Sequence, residues 1–323
     1  MRAMVLDEPG RLVEREVADP VAAAGEVLLE VSACGVCRTD LQILQGDLEM
    51  RRRPLIPGHQ VVGRVAGTGE RVGVAWLHGA DGTCPACRRG LENLCPNAEF
   101  TGWTTDGGYA ELITARRDYV FPLPDSFTDL EAAPLLCAGI IGYRSLRIAA
   151  VEPGARIGLY GFGSSAHLAI QVALHWGCTV AVFTRSQRER ELAQRLGAAW
   201  AGGYDDPAPW PLDAAVTFAP VGSVVVAALR SLAPGAAVAV NAIHLDEMPA
   251  FSYDLLWQER SIRSVANFTR ADATEFLALA AEVPIRAQVQ TFPLEAAGEA
   301  LDKLAAGAIS GSAVLVVSPA GGG

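Results

Sequence analysis

The sequence predicts an α/β protein in which a β-rich domain is interrupted by a doubly wound parallel sheet. Three observations carry that expectation. Residues 26–76 alternate short β-rich runs (EVLLEVSA, QVVGRVAG, RVGVAWL) with Gly and Pro turns, the pattern of an irregular antiparallel barrel or sandwich. After about residue 138, apolar strands alternate with helical stretches, as a parallel sheet requires. The stretch 285–317 returns to strand, helix and strand, and can rejoin the first domain. The expected boundaries are 1–138 with 272–323 for the β-rich domain and 139–271 for the insertion.

In chain order, the Cys- and Gly-rich excursion at 78–98 breaks the strand rhythm. It is too polar to pack a core of its own and needs an internal staple. YAELIT and YVFPLP resume the strands. In the insertion, ARIGLYG reads as a strand ending at Gly161, SSAHLAIQVALHWG as a helix, CTVAVFT as the next strand and SQRERELAQRLG as a charged amphipathic helix. LDAAVTFAP, SVVVAALRSLAPG, AAVAVNAI and RSIRSVANF continue the alternation, and a short Gly tail stands at 321–323.

Length and composition narrow the class. A chain of 323 residues, half of them apolar, can bury two cores. Its longest apolar runs, 134–143 and 235–243, are too short to span a bilayer. The opening MRAMVLDEPG lacks the regions of a signal peptide, so a cytoplasmic protein is expected. Its seven cysteines are then metal ligands or thiols rather than disulfides. A net charge of −10 argues against nucleic acid, and Arg51-Arg52-Arg53 reads as a solvated patch.

Most of the cysteines fall into two clusters. Cys84, Cys87 and Cys95 are spaced C-x2-C-x7-C with Asp81 three residues upstream, as in a closed structural zinc site. Cys37, His59 and Cys137 are dispersed and meet only after folding, as ligands of a catalytic zinc with an open fourth position do.

Gly161-Phe162-Gly163-Ser164-Ser165-Ala166 follows a strand and opens a helix, the G-x-G-x-x-G/A form of a dinucleotide-binding turn. The next strand ends at Thr184, where an NAD site would place a carboxylate for the ribose diol; Arg185, Ser186 and Arg188 follow. A missing acid and an available arginine favour NADP(H), with NAD(H) the alternative.

Together, CGVCRTDL, PGHQVVG, WLHGADGTCPACRRGLENLC, DGGYAEL, APLLCAG and YGFGSSAHLA resemble the zinc-dependent medium-chain alcohol dehydrogenases, most closely their bacterial, primary-alcohol-preferring branch. The resemblance implies a GroES-like catalytic domain with an inserted Rossmann domain, and two zincs per chain. It implies a catalytic zinc on Cys37, His59 and Cys137, with Asp40 orienting the histidine and Thr39 taking the proton of the alcohol. Arg38 matches a pyrophosphate contact. Trp76, Leu77 and Trp103 match pocket positions, for which core packing is the competing reading. Cys34 matches no ligand position and, like Cys178, reads as a buried inert thiol. A homodimer or homotetramer acting on a small alcohol or aldehyde is expected.

The chain also departs from that pattern. Asp81 stands where the family usually has cysteine; a carboxylate is an acceptable zinc ligand, with His78 as rival fourth ligand and a metal-free lobe as the third option. Gln42 replaces the histidine that ends the proton relay, and an amide cannot titrate near neutral pH. Gln60 replaces a glutamate behind the metal, which should make the ion more electropositive. Ile141 and Ser312 replace a nicotinamide-backing threonine and a pyrophosphate-contacting arginine, and Arg270 could compensate for the latter.

These features predict an alcohol dehydrogenase interconverting a primary alcohol and its aldehyde by hydride transfer. An NADPH-dependent aldehyde reductase is the same-class alternative. A non-catalytic nucleotide- or metal-binding protein on this scaffold is the alternative of another class.

Overall fold

The computed structural model describes residues 1–242, 245–283, 285–309 and 311–317. The Gly tail at 321–323 lies outside the described residues, as does the end of the run 235–243. The chain divides into two compact units, Met1–Cys137 with Asn267–Gly323, and Ala138–Ala266. The segment 267–271, expected with the insertion, instead groups with the first unit. Phe268 packs edge-on to Phe121, and Arg270 bonds Glu92, both first-unit partners.

The first unit opens with a hairpin of β1 (Arg2–Glu8) and β2 (Arg11–Glu16) that the strand pattern did not announce. β3 (Glu26–Val36) is its axis, an 11-residue strand that runs directly into α1 (Arg38–Gln45) through Cys37. β4 (Val61–Val65) follows the PGHQ loop, so His59 and Gln60 are set at the mouth of a strand. β5 (Arg71–Val74) leads to β6 (Leu77–Gly79), which pairs antiparallel with β7 (Glu99–Phe100). That short ladder closes the base of the Cys-rich lobe. β8 (Leu112–Arg116), β9 (Val120–Pro122) and the short α2 (Asp129–Ala132), held by a Thr128–Glu131 capping box, bring the chain to Cys137.

The second unit begins with α3 (Ala138–Ile148) and continues β10 (Arg156–Tyr160), α4 (Ser164–His175), β11 (Thr179–Phe183), α5 (Gln187–Arg195) and β12 (Trp200–Gly202). β13 (Leu212–Thr217), α6 (Gly222–Arg230), β14 (Leu232–Val240) and β15 (Ser261–Ser264) complete it. All six strands are parallel, in the order β12-β11-β10-β13-β14-β15. This is the doubly wound order of dinucleotide-binding sheets. The inner strands are buried along nearly their whole length, as a sheet covered by helices on both faces demands. Tyr160 stacks on Phe183 at 4.1 Å, and Trp200 packs against Phe183 at 4.9 Å.

The returning chain forms α7 (Arg270–Glu282), β16 (Val289–Pro293), α8 (Ala297–Ala305) and β17 (Ser312–Val316). β17 lies antiparallel on the end of β3, with Ala313 opposite Val36, and parallel to β16. The first unit is therefore built on one seven-stranded mixed sheet, β16-β17-β3-β4-β5-β9 with β8 on β3, rather than a wholly antiparallel barrel. Leu29, Val31, Val61, Val72, Ile113, Leu301 and Leu315 form its core. Among the described residues no helix is long and apolar enough to cross a membrane.

Candidate active site

Cys37 is the hinge between strand and helix. It is the N-cap of α1: its sulfur accepts the Thr39 N–H at 3.3 Å, and its own N–H donates to Asp40 Oδ2 at 2.9 Å. Asp40 is buried and also takes the Gly58 N–H at 3.3 Å and His59 Nδ1 at 3.1 Å. An ionised carboxylate only accepts, so Nδ1 carries a proton and Nε2 is the ring nitrogen turned toward the thiols. Nε2 faces the Cys37 sulfur at 3.2 Å. Gly58, at φ +96° and with a hypothetical Cβ 2.4 Å from the Tyr109 ring, must be glycine for the PGH turn to close here.

The ligand atoms of Cys37, His59 and Cys137 all lie within 4.8 Å of one another. Cys37 is held well below the usual thiol range by a hydrogen bond from Cys137 and by the imidazole, against the effect of burial. Cys137 moves well above it, as the donor to Cys37 and as a buried thiol. Burial opposes charge on His59, yet the neighbouring Cys37 and Asp40 charges raise its pKa well above the ordinary value. Two thiols and an imidazole whose nitrogen already faces a sulfur fit a zinc ion, which binds such atoms at about 2.0–2.3 Å. Binding would release the protons they carry.

The lobe brings Asp81, Cys84, Cys87 and Cys95 together, again within 4.8 Å. Asp81 Oδ1 accepts the N–H groups of Cys84 and Thr83, both at 2.9 Å, and Oδ2 accepts the Asn97 amide at 3.0 Å. These bonds, Cys84 first, hold Asp81 well below the usual carboxylate range. The N–H of Cys87 lowers Cys84, while desolvation and donation to Cys84 push Cys87 up to about 12. Three sulfurs and a fixed anionic oxygen fit a second zinc. His78 is buried on β6 with Nδ1 unpartnered and is not among the clustered ligands. Glu92, also in the lobe, accepts from the Arg270 N–H at 2.8 Å and its Nε at 3.3 Å. Arg270 is thus engaged by the lobe, where the sequence left a pyrophosphate contact open.

The remaining first-unit candidates are placed as follows. Thr39 is buried in the first turn of α1, Arg38 is exposed beside it, and Gln42 is half-buried further along. Gln60 is buried with Nε2 unpartnered. Trp76 touches the His59 ring edge-on at 4.8 Å and stacks on Trp103 at 5.7 Å and Phe100 at 5.4 Å. Leu77 is fully buried. Trp103 donates to the Glu49 carbonyl at 2.8 Å, and Arg51 covers its ring. The arginine run is therefore more than a solvated patch: Arg52 also forks onto Asp106 at 2.9 and 3.2 Å. Cys34 and Cys178 are buried, and burial raises both thiols.

In the second unit Gly161 has φ +89°, and a Cβ there would stand 2.8 Å from the Ala219 nitrogen. Gly163 is the N-cap of α4 without a side-chain cap, and a Cβ on it would meet nothing within 4 Å. Phe162 and Ala166 are buried, while Ser164 and Ser165 open the helix. A tight turn, an open approach and an uncapped helix start fit a pyrophosphate. Thr184 donates to Glu189 Oε2 at 2.9 Å, and the Ser186 hydroxyl caps α5. Arg185 lines an open cleft with Tyr204, Asp205, Val221, Ser223, Val224 and Ala227. Sequence reasoning missed Glu189, which the first turn of α5 sets beside Thr184, and Tyr204 and Asp205, which the pairing of β12 with β11 brings to this end of the sheet.

Comparison with known proteins agrees with this arrangement. Residues 23–125 match the family model "Alcohol dehydrogenase GroES-like domain", and residues 166–282 match "Zinc-binding dehydrogenase". The chain is 50% identical to a Mycobacterium tuberculosis protein described as "Probable alcohol dehydrogenase AdhA", over 92% of this chain and 90% of that one. It is 34% identical to an alcohol dehydrogenase of Geobacillus stearothermophilus, over 98% and 100%. The solved cinnamyl alcohol dehydrogenase SbCAD4 of Sorghum bicolor superposes with a TM-score of 0.89 at 26% identity, over 98% and 97%. A mixed sheet carrying the dispersed ligands, a six-stranded parallel sheet carrying the glycine turn, and these full-length relatives lead to one assignment: the chain belongs to the zinc-type medium-chain alcohol dehydrogenase family.

Proposed function

We propose that this chain is a zinc-dependent alcohol dehydrogenase that interconverts a primary alcohol and its aldehyde with a nicotinamide dinucleotide. The observation that carries the reading is the convergence of Cys37, His59 and Cys137, with Asp40 holding His59 Nδ1 so that Nε2 faces the thiols. When bound, zinc supplies a Lewis acid for the substrate oxygen, and the nicotinamide gives or accepts the hydride.

The chain's own residues do the rest. Cys37, His59 and Cys137 hold the ion, and Asp40 fixes the ring and the start of α1 at once. Thr39, two residues from Cys37, relays the substrate's hydroxyl proton, accepting it as its own hydroxyl proton passes on to water. Gln42 cannot receive it in turn, so the pH profile lacks the step of a relay histidine. The neutral Gln60 adds no negative charge behind the centre. Trp76 and Trp103 form an aromatic wall against His59 that suits small and medium apolar alcohols. Asp81, Cys84, Cys87 and Cys95 hold a second zinc that keeps the lobe folded.

The expectation of a reducing, cytoplasmic setting and of a homodimer or homotetramer belongs with this proposal. Seven free thiols support the first. Arg185 in the cleft supports NADP(H). The test is spectrophotometric: zinc-replete protein should reduce the nicotinamide with a panel of primary alcohols, and Cys37→Ala should abolish turnover. Cofactor binding without oxidation of any alcohol would favour the non-catalytic reading instead.

A further inference from the structure

The second unit places a carboxylate, Asp205, in the same cleft as Arg185. The N–H of Thr184 donates to the Gly202 carbonyl at 2.8 Å, which locks the ends of β11 and β12 side by side. The loops that follow each strand therefore leave the sheet together, one carrying Arg185 and the other Tyr204 and Asp205. These three line the same open cleft, with the start of α6 as the facing wall. It lies at the carboxyl ends of the parallel strands, where such sheets bind the adenosine half of a dinucleotide.

The neighbouring acids are already occupied. Glu189 accepts the Thr184 hydroxyl at 2.9 Å, and Asp206 accepts the Gly203 N–H at 2.7 Å. Asp205 is exposed and, among the described residues, carries no hydrogen bond or ion pair. The Arg185 guanidinium is likewise unengaged, its carbonyl alone being used by Arg190. One cation and one anion thus share the cleft without neutralising each other. Tyr204, which precedes Asp205, is half-buried and offers a ring near the Arg185 charge.

We propose that Asp205 is the residue that sets the choice between the two nicotinamide dinucleotides, its carboxylate accepting the ribose hydroxyls of NAD(H) and repelling the 2′-phosphate that Arg185 would attract. It takes over, from the end of β12, the role that Thr184 leaves empty at the end of β11. The inference rests on the cofactor reading above and deepens it. Two opposed charges make the preference a balance rather than a fixed selectivity, so removing either should tilt it in a known direction.

The test is equilibrium binding, independent of turnover. Calorimetric titration of the full-length protein with 5′-AMP and with adenosine 2′,5′-bisphosphate gives the two dissociation constants for the parent, Asp205→Asn, Arg185→Gln and a remote charge control, Asp302→Asn. In Asp205→Asn the bisphosphate should gain on AMP by about tenfold, and in Arg185→Gln it should lose by a similar factor. Asp302→Asn should leave the ratio unchanged. A ratio that Asp205→Asn moves by less than about twofold, or no more than the control does, overturns the assignment. If the folded parent binds neither fragment, the cofactor reading itself fails, and this inference with it.

Discussion

His59 donates Nδ1 to Asp40 across 3.1 Å, and both side chains are almost wholly buried. The same carboxylate closes the capping box of α1 through the Cys37 N–H. One anion therefore positions two of the three ligands. Asp40→Ala should weaken metal binding at this centre by about 10–100-fold, as removal of an orienting partner does elsewhere. Chelator competition monitored per site would show it, with the lobe's metal unaffected.

Asp81 holds its place through three hydrogen bonds, two of them from the backbone of the loop it must shape. Asp81→Ala should lower zinc occupancy of the lobe and the melting temperature together, whereas Asp81→Cys should retain both. Metal content and thermal unfolding on the same preparations check this. Full occupancy in Asp81→Ala would leave the carboxylate a shaping role only.

Glu92 is buried and takes two bonds from Arg270, which also lies over the Tyr119 ring at 5.0 Å. Arg270→Ala removes the side-chain partner of a buried carboxylate. Destabilisation of about 1–3 kcal/mol should follow, measured by denaturant unfolding. Glu92→Gln, which keeps an acceptor for the backbone N–H, should cost less.

Glu111 joins β8 to β1 by accepting the Arg2 N–H and Nε, each at 2.8 Å. The backbone bond chiefly, then the guanidinium, lowers its pKa. A depressed carboxylate contributes stability above its ordinary value, and loses it as pH falls through the folded value. Parent and Glu111→Gln should therefore differ by about 0.2–1 kcal/mol near neutrality and converge in acid once pH falls through the depressed folded value. An unchanged gap across that range would exclude the linkage.

The features legible in the sequence are those whose residues sit close together or whose type is rare. The C-x2-C-x7-C spacing and the glycine turn are local, and three zinc-type ligands in a chain with few histidines stand out at any distance. Other features are set by tertiary structure. α1 begins at Cys37, a residue type that capping rules do not look for, and β12 is three residues long. β1 buries four consecutive apolar residues, Ala3 to Leu6, and β2 is mostly charged and exposed, so neither shows the period-two alternation of a strand. The Glu92–Arg270 bond spans 178 residues, and Asp205 reaches Arg185's cleft only because β12 pairs with β11. Nothing short of the fold brings those pairs together.

The central claim is that two separate ion-binding centres occupy the first unit, one from dispersed ligands and one within the lobe. Zinc per chain, determined on metal-replete parent protein and on Cys37→Ala, tests it most directly. Two are expected in the parent and one in the variant, with the lobe's ion retained. Two ions in Cys37→Ala, or a folded parent that holds none, would contradict it.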